Sequence, residues 1–171
     1  MKNIYYCKGD ATDILPSCTS FILHICNNKG GWGRGFTKSL SAKWDQPEEQ
    51  YRLWFKGKAD SRYQLSKFGL GEYQKVWVED STFVINMIAQ EGYSVKDKPA
   101  INYTALKRCL KQIATEEHSY DPVFHMPAIG TGLAGGSWSK IEPIIQSTLV
   151  EKDRFVVVYA RTLDELKKLG A

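Results

Sequence analysis

Two glycine-dense stretches carry the residue types and spacing best suited to chemistry. The first is Asn27-Asn28-Lys29-Gly30-Gly31-Trp32-Gly33-Arg34-Gly35-Phe36. The second is Pro127-Ala128-Ile129-Gly130-Thr131-Gly132-Leu133-Ala134-Gly135-Gly136-Ser137-Trp138. Eight of the 14 glycines lie in these stretches, which stand about a hundred residues apart. Glycine lets backbone N–H groups come close to an anionic ligand, and a helix start just downstream adds partial positive charge. One such loop alone also reads as a tight turn. Two together are expected to clasp a diphosphate between them. Neither is a standard nucleotide motif. Lys38-Ser39 is preceded by Thr37, where a Walker A loop needs Gly, and Lys38 stands where a dinucleotide fingerprint needs its third Gly.

Other residues flank these loops. Asp10, in Gly9-Asp10-Ala11-Thr12, follows the first apolar run. Its carboxylate can accept from the exocyclic amine of a base or cap a short helix over 11–15. His24 sits one position inside the end of Leu23-His24-Ile25-Cys26-Asn27. It is a general acid or base if it faces the ligand and a core histidine if it does not. His125 lies mid-strand and reads as structural. Lys29 and Arg34 are available to phosphate charge.

Strand-length apolar runs must position these loops: 4–7, 21–26, 76–78, 83–89, 123–126 and 155–160. Several are apolar on both faces, which suits strands buried between helical layers. Helical patterns fall between them at 36–44, 47–56, 102–118 and 139–150, with Ser137 or Ser139 as a cap. Thr162 is placed to cap a last helix over Leu163, Leu166 and Leu169. The alternation predicts an α/β fold, a three-layer α/β/α sandwich, with both glycine loops at carboxyl ends of strands, where open α/β sheets bind ligands. The length of 171 residues suits one domain, with 43% hydrophobic and 25% charged residues. A net charge of +4 permits an anionic ligand and falls short of a nucleic-acid footprint, so no nucleic-acid partner is expected. The four cysteines form no C-x-x-C pair, and Cys7, Cys26 and Cys109 read as reduced core residues. The first residues lack a signal-peptide run and no segment is long and apolar enough to span a bilayer; a cytoplasmic protein without a membrane partner is expected.

Gly9-Asp10-Ala11-Thr12, the Asn-containing glycine loop and Pro127-Ala128-Ile129-Gly130-Thr131-Gly132 together resemble the macro domain family over nearly the whole chain. Gly31-Trp32-Gly33-Arg34-Gly35, Ile88-Ala89-Gln90 and Leu133-Ala134-Gly135-Gly136-Ser137-Trp138 are similar to the branch that holds the macro module of a liver-cancer-amplified chromatin remodeller and yeast ADP-ribose-1''-phosphate phosphatase. The resemblance implies a mixed, mostly parallel central sheet and one macro-type ADP-ribose-binding domain over 1–171. It implies that Asp10 binds the adenine amine with Ala11 beside it. Asn27, Gly30, Gly31, Trp32, Gly33 and Gly35 would hold the distal ribose and part of the diphosphate, and Gly130, Thr131, Gly132, Leu133, Ala134 and Gly135 would wrap it. Tyr159 would wall the adenine, and Gln90 and Trp138 are further candidates. His24 and Asn27 are the catalytic candidates if the protein hydrolyses an ADP-ribosyl group on a protein or ADP-ribose-1''-phosphate; the alternative is a non-catalytic reader of ADP-ribose or its polymer. Ala134 stands where lysine-dependent family hydrolases carry an acid, which argues against a covalent lysyl route. No cofactor or metal is implied, and the partner would be ADP-ribose or an ADP-ribosylated target met by a monomer.

Overall fold

A computed structural model describes residues 3–15, 18–62, 66–95, 97–118 and 120–170. The elements are β1 (Ile4–Lys8), β2 (Ser20–Asn27), α1 (Phe36–Lys43), α2 (Gln46–Phe55), β3 (Tyr73–Glu79), β4 (Thr82–Gln90), α3 (Tyr103–Thr115), β5 (Val123–Pro127), α4 (Trp138–Thr148), a 3₁₀ turn at Val150–Lys152, β6 (Phe155–Ala160) and α5 (Leu163–Lys168). The expected strands and helices all form, with ends shifted by a few residues. Residues 11–15 do not form a helix. Asp10 instead closes a turn, accepting at Oδ1 from Thr12 N at 2.8 Å.

The sheet runs β1-β6-β5-β2-β4-β3. All pairings are parallel except β3–β4, which makes the sheet mixed. That pair is joined by a tight turn in which Asp80 takes φ 44°.

Side-chain alternation along the central strands divides the core. On β2, Phe21 and Leu23 face α3 and α4, whereas Ile22 and Cys26 face α1 and α2. The α3 stripe of Ala105, Leu106, Cys109, Leu110, Ile113 and Ala114 is buried as its spacing requires. Asn102 caps α3 through Ala105 N at 2.9 Å, and Thr162 caps α5 through Glu165 N at 3.1 Å. Ser137 occupies the N-cap position of α4 without capping it; its hydroxyl pairs with that of Ser139 at 2.7 Å. Cys26 and Cys109 are buried and Cys7 is only half-buried.

Five of the six strands point the same way, so the residues after β1, β6, β5, β2 and β4 share one edge of the sheet. At about 4.8 Å per strand, that edge spans roughly 19 Å from β1 to β4. Asp10, Arg161, both glycine loops and Gln90 lie along it.

Candidate functional site

Asn27 builds the first glycine loop. Its Oδ1 accepts from Lys29 N at 2.9 Å and Gly31 N at 3.1 Å, and its Nδ2 donates to Gly31 O at 2.9 Å. From α2, Tyr51 donates its hydroxyl to Asn27 O at 2.6 Å, and Arg52 Nη1 donates to Gly30 O at 3.0 Å. The Asn27 amide is therefore spent on the loop. It holds the loop at the end of β2. Trp32 likewise turns inward, packing on His24 and Tyr51 and donating to Ser41 Oγ at 2.8 Å.

The end of this loop is open. Gly35 takes φ 61° and ψ −135°, a conformation that a side chain would strain, and it delivers the chain into α1 without a side-chain cap. Among the described residues, none accepts from the N–H groups of Arg34, Gly35, Phe36 or Thr37. These unmet donors at a helix start are the groups an anion would satisfy.

The second loop is held from below and open above. Gly136 N donates to Gly130 O at 2.7 Å, and Ile101 N donates to Ala134 O at 3.0 Å. A Cβ on Gly136 would fall 2.6 Å from Gly130 O, so this crossing needs glycine. Nothing lies within 4 Å of where a Gly132 Cβ would stand. Among the described residues, none accepts from the N–H groups of Gly132, Leu133 or Ala134. The two loops meet at their free ends, where a Cβ on Gly35 would lie 3.6 Å from Leu133 Cδ1. Two rows of N–H groups without acceptors among the described residues thus lie on neighbouring loops at the strand ends.

At the β1 end, Asp10 Oδ1 also accepts from Thr12 Oγ1 at 2.7 Å, and Ala11 is buried. Arg161, just past β6, reaches back. Its Nη2 donates to Ser39 Oγ on α1 at 2.6 Å and lies 3.6 Å from Asp10 Oδ2. Partial burial pushes the Asp10 carboxyl up, but the Thr12 hydrogen bonds, Ser39 and the Arg161 charge outweigh it and hold the group below its ordinary value. A depression of about 390 Å³ opens here between Asp10, Thr12, Asp13, Ser39, Ala42 and Lys43. The Tyr159 ring lies beneath Gly9, with its hydroxyl 2.7 Å from His125 Nδ1. Burial pushes the Tyr159 phenol up to about 12 and His125 down to about 4. The sequence reading missed Arg161 and Ser39, because their meeting spans 122 positions and leaves no local signature.

His24 does not reach the cleft. It is 2% exposed, lies beneath Trp32 and Phe36, and shares a 2.6 Å hydrogen bond between Nε2 and Asn86 Oδ1. Burial pushes its pKa down to about 4, partly opposed by Asn86. The imidazole takes the core place that the sequence left open beside an acid–base role. Gln90 closes β4 and spends its Nε2 on Gly92 O at 3.0 Å. Trp138 packs edge-on against Tyr6 and donates to Tyr6 OH at 3.1 Å and Glu142 Oε2 at 3.2 Å, pinning the start of α4.

No family model matches the chain. A solved macrodomain protein from Streptomyces coelicolor is 38% identical, with a TM-score of 0.78 over 94% of this chain and 100% of that one. The chain belongs to the macrodomain family. A Bacteroides thetaiotaomicron structure of a protein of unknown function is 44% identical, with a TM-score of 0.83 over 92% of this macrodomain and 98% of that chain. The ADP-ribose 1''-phosphate phosphatase of Lodderomyces elongisporus is 24% identical over 149 residues, 83% of this chain and 90% of that protein. A Trypanosoma brucei macrodomain solved with ADP-ribose shares the fold, at 13% identity and a TM-score of 0.66 over 97% of this chain and 67% of that one.

Proposed function

We propose that this macrodomain binds ADP-ribose along the strand-end edge and hydrolyses an ADP-ribose derivative, either ADP-ribose-1''-phosphate or an ADP-ribosylated side chain. One observation carries the binding: two rows of backbone N–H groups without acceptors among the described residues, at 34–37 and 132–134, lie on loops that meet where a Gly35 Cβ would stand 3.6 Å from Leu133 Cδ1. A diphosphate satisfies both rows with no lysine required. Asp10 then takes the adenine amine, with Tyr159 as the wall, and the other end of the ligand lies toward β4. The likeness to a phosphatase of ADP-ribose 1''-phosphate supports turnover. In that reading the cleft orients the bond and bears the phosphate charge while a bound water attacks. The reading takes residues 1–171 as one domain acting as a monomer in the cytoplasm, in keeping with four unpaired thiols.

A second reading, binding without turnover, is favoured by the burial of His24 and by Ala134 standing at the acid's position. Incubation with ADP-ribose-1''-phosphate and with an ADP-ribosylated protein separates the two. Release of phosphate or ADP-ribose is expected. Calorimetric binding without release establishes the reader, and no binding of ADP-ribose overturns both.

A further inference from the structure

The described residues of the connection from β4 to α3, 91–95 and 97–102, lie against both glycine loops as a strap. Glu91 N donates to Ala100 O at 2.8 Å and Asn102 N to Ala89 O at 2.7 Å, which closes its base. Gly92 N donates to Asn28 Oδ1 at 2.8 Å, which ties it to the first loop. Ile101 N donates to Ala134 O, and Pro99 lies 3.3 Å from where a Gly135 Cβ would stand, which ties it to the second.

Within this strap Tyr93 has an unusual place. Its ring is 62% exposed, yet its hydroxyl fills the space where a Gly31 Cβ would be, with Asn27 Nδ2 3.2 Å from the same point. Gly31 has no left-handed backbone angle to explain it; the seat for Tyr93 does. The hydroxyl thus stands at the rim of the first loop, beside Gly31 and Asn27. A phenol hydroxyl is both donor and acceptor, and the exposed face of the ring suits the apolar side of a sugar.

We infer that Tyr93 is the specificity-determining residue for the ribose farthest from the adenine, contacting it through its hydroxyl and ring. This rests on the ADP-ribose reading above. With Asp10 at the β1 end and the diphosphate between the loops, the remaining sugar falls at the β2–β4 end, where the strap sets Tyr93. ADP lacks that sugar and therefore should not sense the side chain.

Calorimetric titration of ADP-ribose and ADP into wild type, Tyr93→Phe and Tyr93→Ala tests this. Tyr93→Ala is expected to weaken ADP-ribose about tenfold, the scale of a lost hydrogen bond and its stacking, while ADP affinity stays unchanged. Tyr93→Phe is expected to fall between, since the ring stays. Equal weakening of both ligands, or no change in either, overturns the assignment and leaves the ADP-ribose reading standing. A wild-type protein that binds neither ligand overturns that reading and the Tyr93 role with it.

Discussion

Tyr51, wholly buried on α2, donates its hydroxyl to Asn27 O at 2.6 Å and lies 3.0 Å from Asn27 Oδ1. A helix on one face of the sheet thus sets the loop at the strand ends. Tyr51→Phe keeps the packing and deletes this tie, leaving buried acceptors short of a donor. We expect a loss of about 1–2 kcal/mol in urea unfolding and weaker ADP-ribose binding. Unchanged stability and affinity would show that Asn27 holds the loop unaided.

Gly132 and Gly136 separate ligand space from structural space. Gly132→Glu is expected to fold normally, because the site is open, and to lose ADP-ribose binding, because a carboxylate would enter diphosphate space. Gly136→Ala is expected to destabilise the protein by about 1–3 kcal/mol, since its Cβ would meet a backbone oxygen. Circular dichroism melts with calorimetry check both. Retained binding by a folded Gly132→Glu protein refutes the cleft.

Asp10 is oriented by Thr12, with Arg161, itself bonded to Ser39, beside its second oxygen. If that oxygen receives the adenine amine, the inosine analogue of ADP-ribose binds wild type at least about tenfold more weakly, since an amine donor is lost. Asp10→Ala should bind both ligands equally and poorly. Equal wild-type affinities for the two ligands would remove Asp10 from base recognition.

His24 and His125 are both depressed to about 4 by burial. Their folded values lie below the ordinary 6.5, so the unfolded chain binds more protons at acid pH. The stability they contribute is full above about pH 6.5 and is lost as pH falls toward about 4, by roughly 3 kcal/mol for His24. Urea midpoints should drop between pH 7 and 5. His24→Asn should flatten that drop, and an equally steep profile in the variant would show that His24 does not cause it.

The elements of this fold were legible because each rests on local rules. The runs at 21–26 and 83–89 alternate across a sheet buried on both faces, α3 repeats its apolar stripe at helical spacing, and Thr162 precedes its helix as a cap should. The glycine loops were legible for a similar reason, since a dense set of glycines between a strand and a helix has few uses.

The sequence by itself determined the layers, the two loops and the family that their motifs resemble. Tertiary structure decided what each polar side chain faces. Strand parity and the roof of Trp32 and Phe36 turned His24 into the core, and the closure of its own loop consumed the Asn27 amide. Arg161 came to lie beside Asp10, and Tyr93 came to rest on Gly31, through chain crossings between distant segments. Periodicity encodes which face of an element is apolar. It does not encode which distant residue completes a hydrogen bond, because that partner is chosen only when the layers pack.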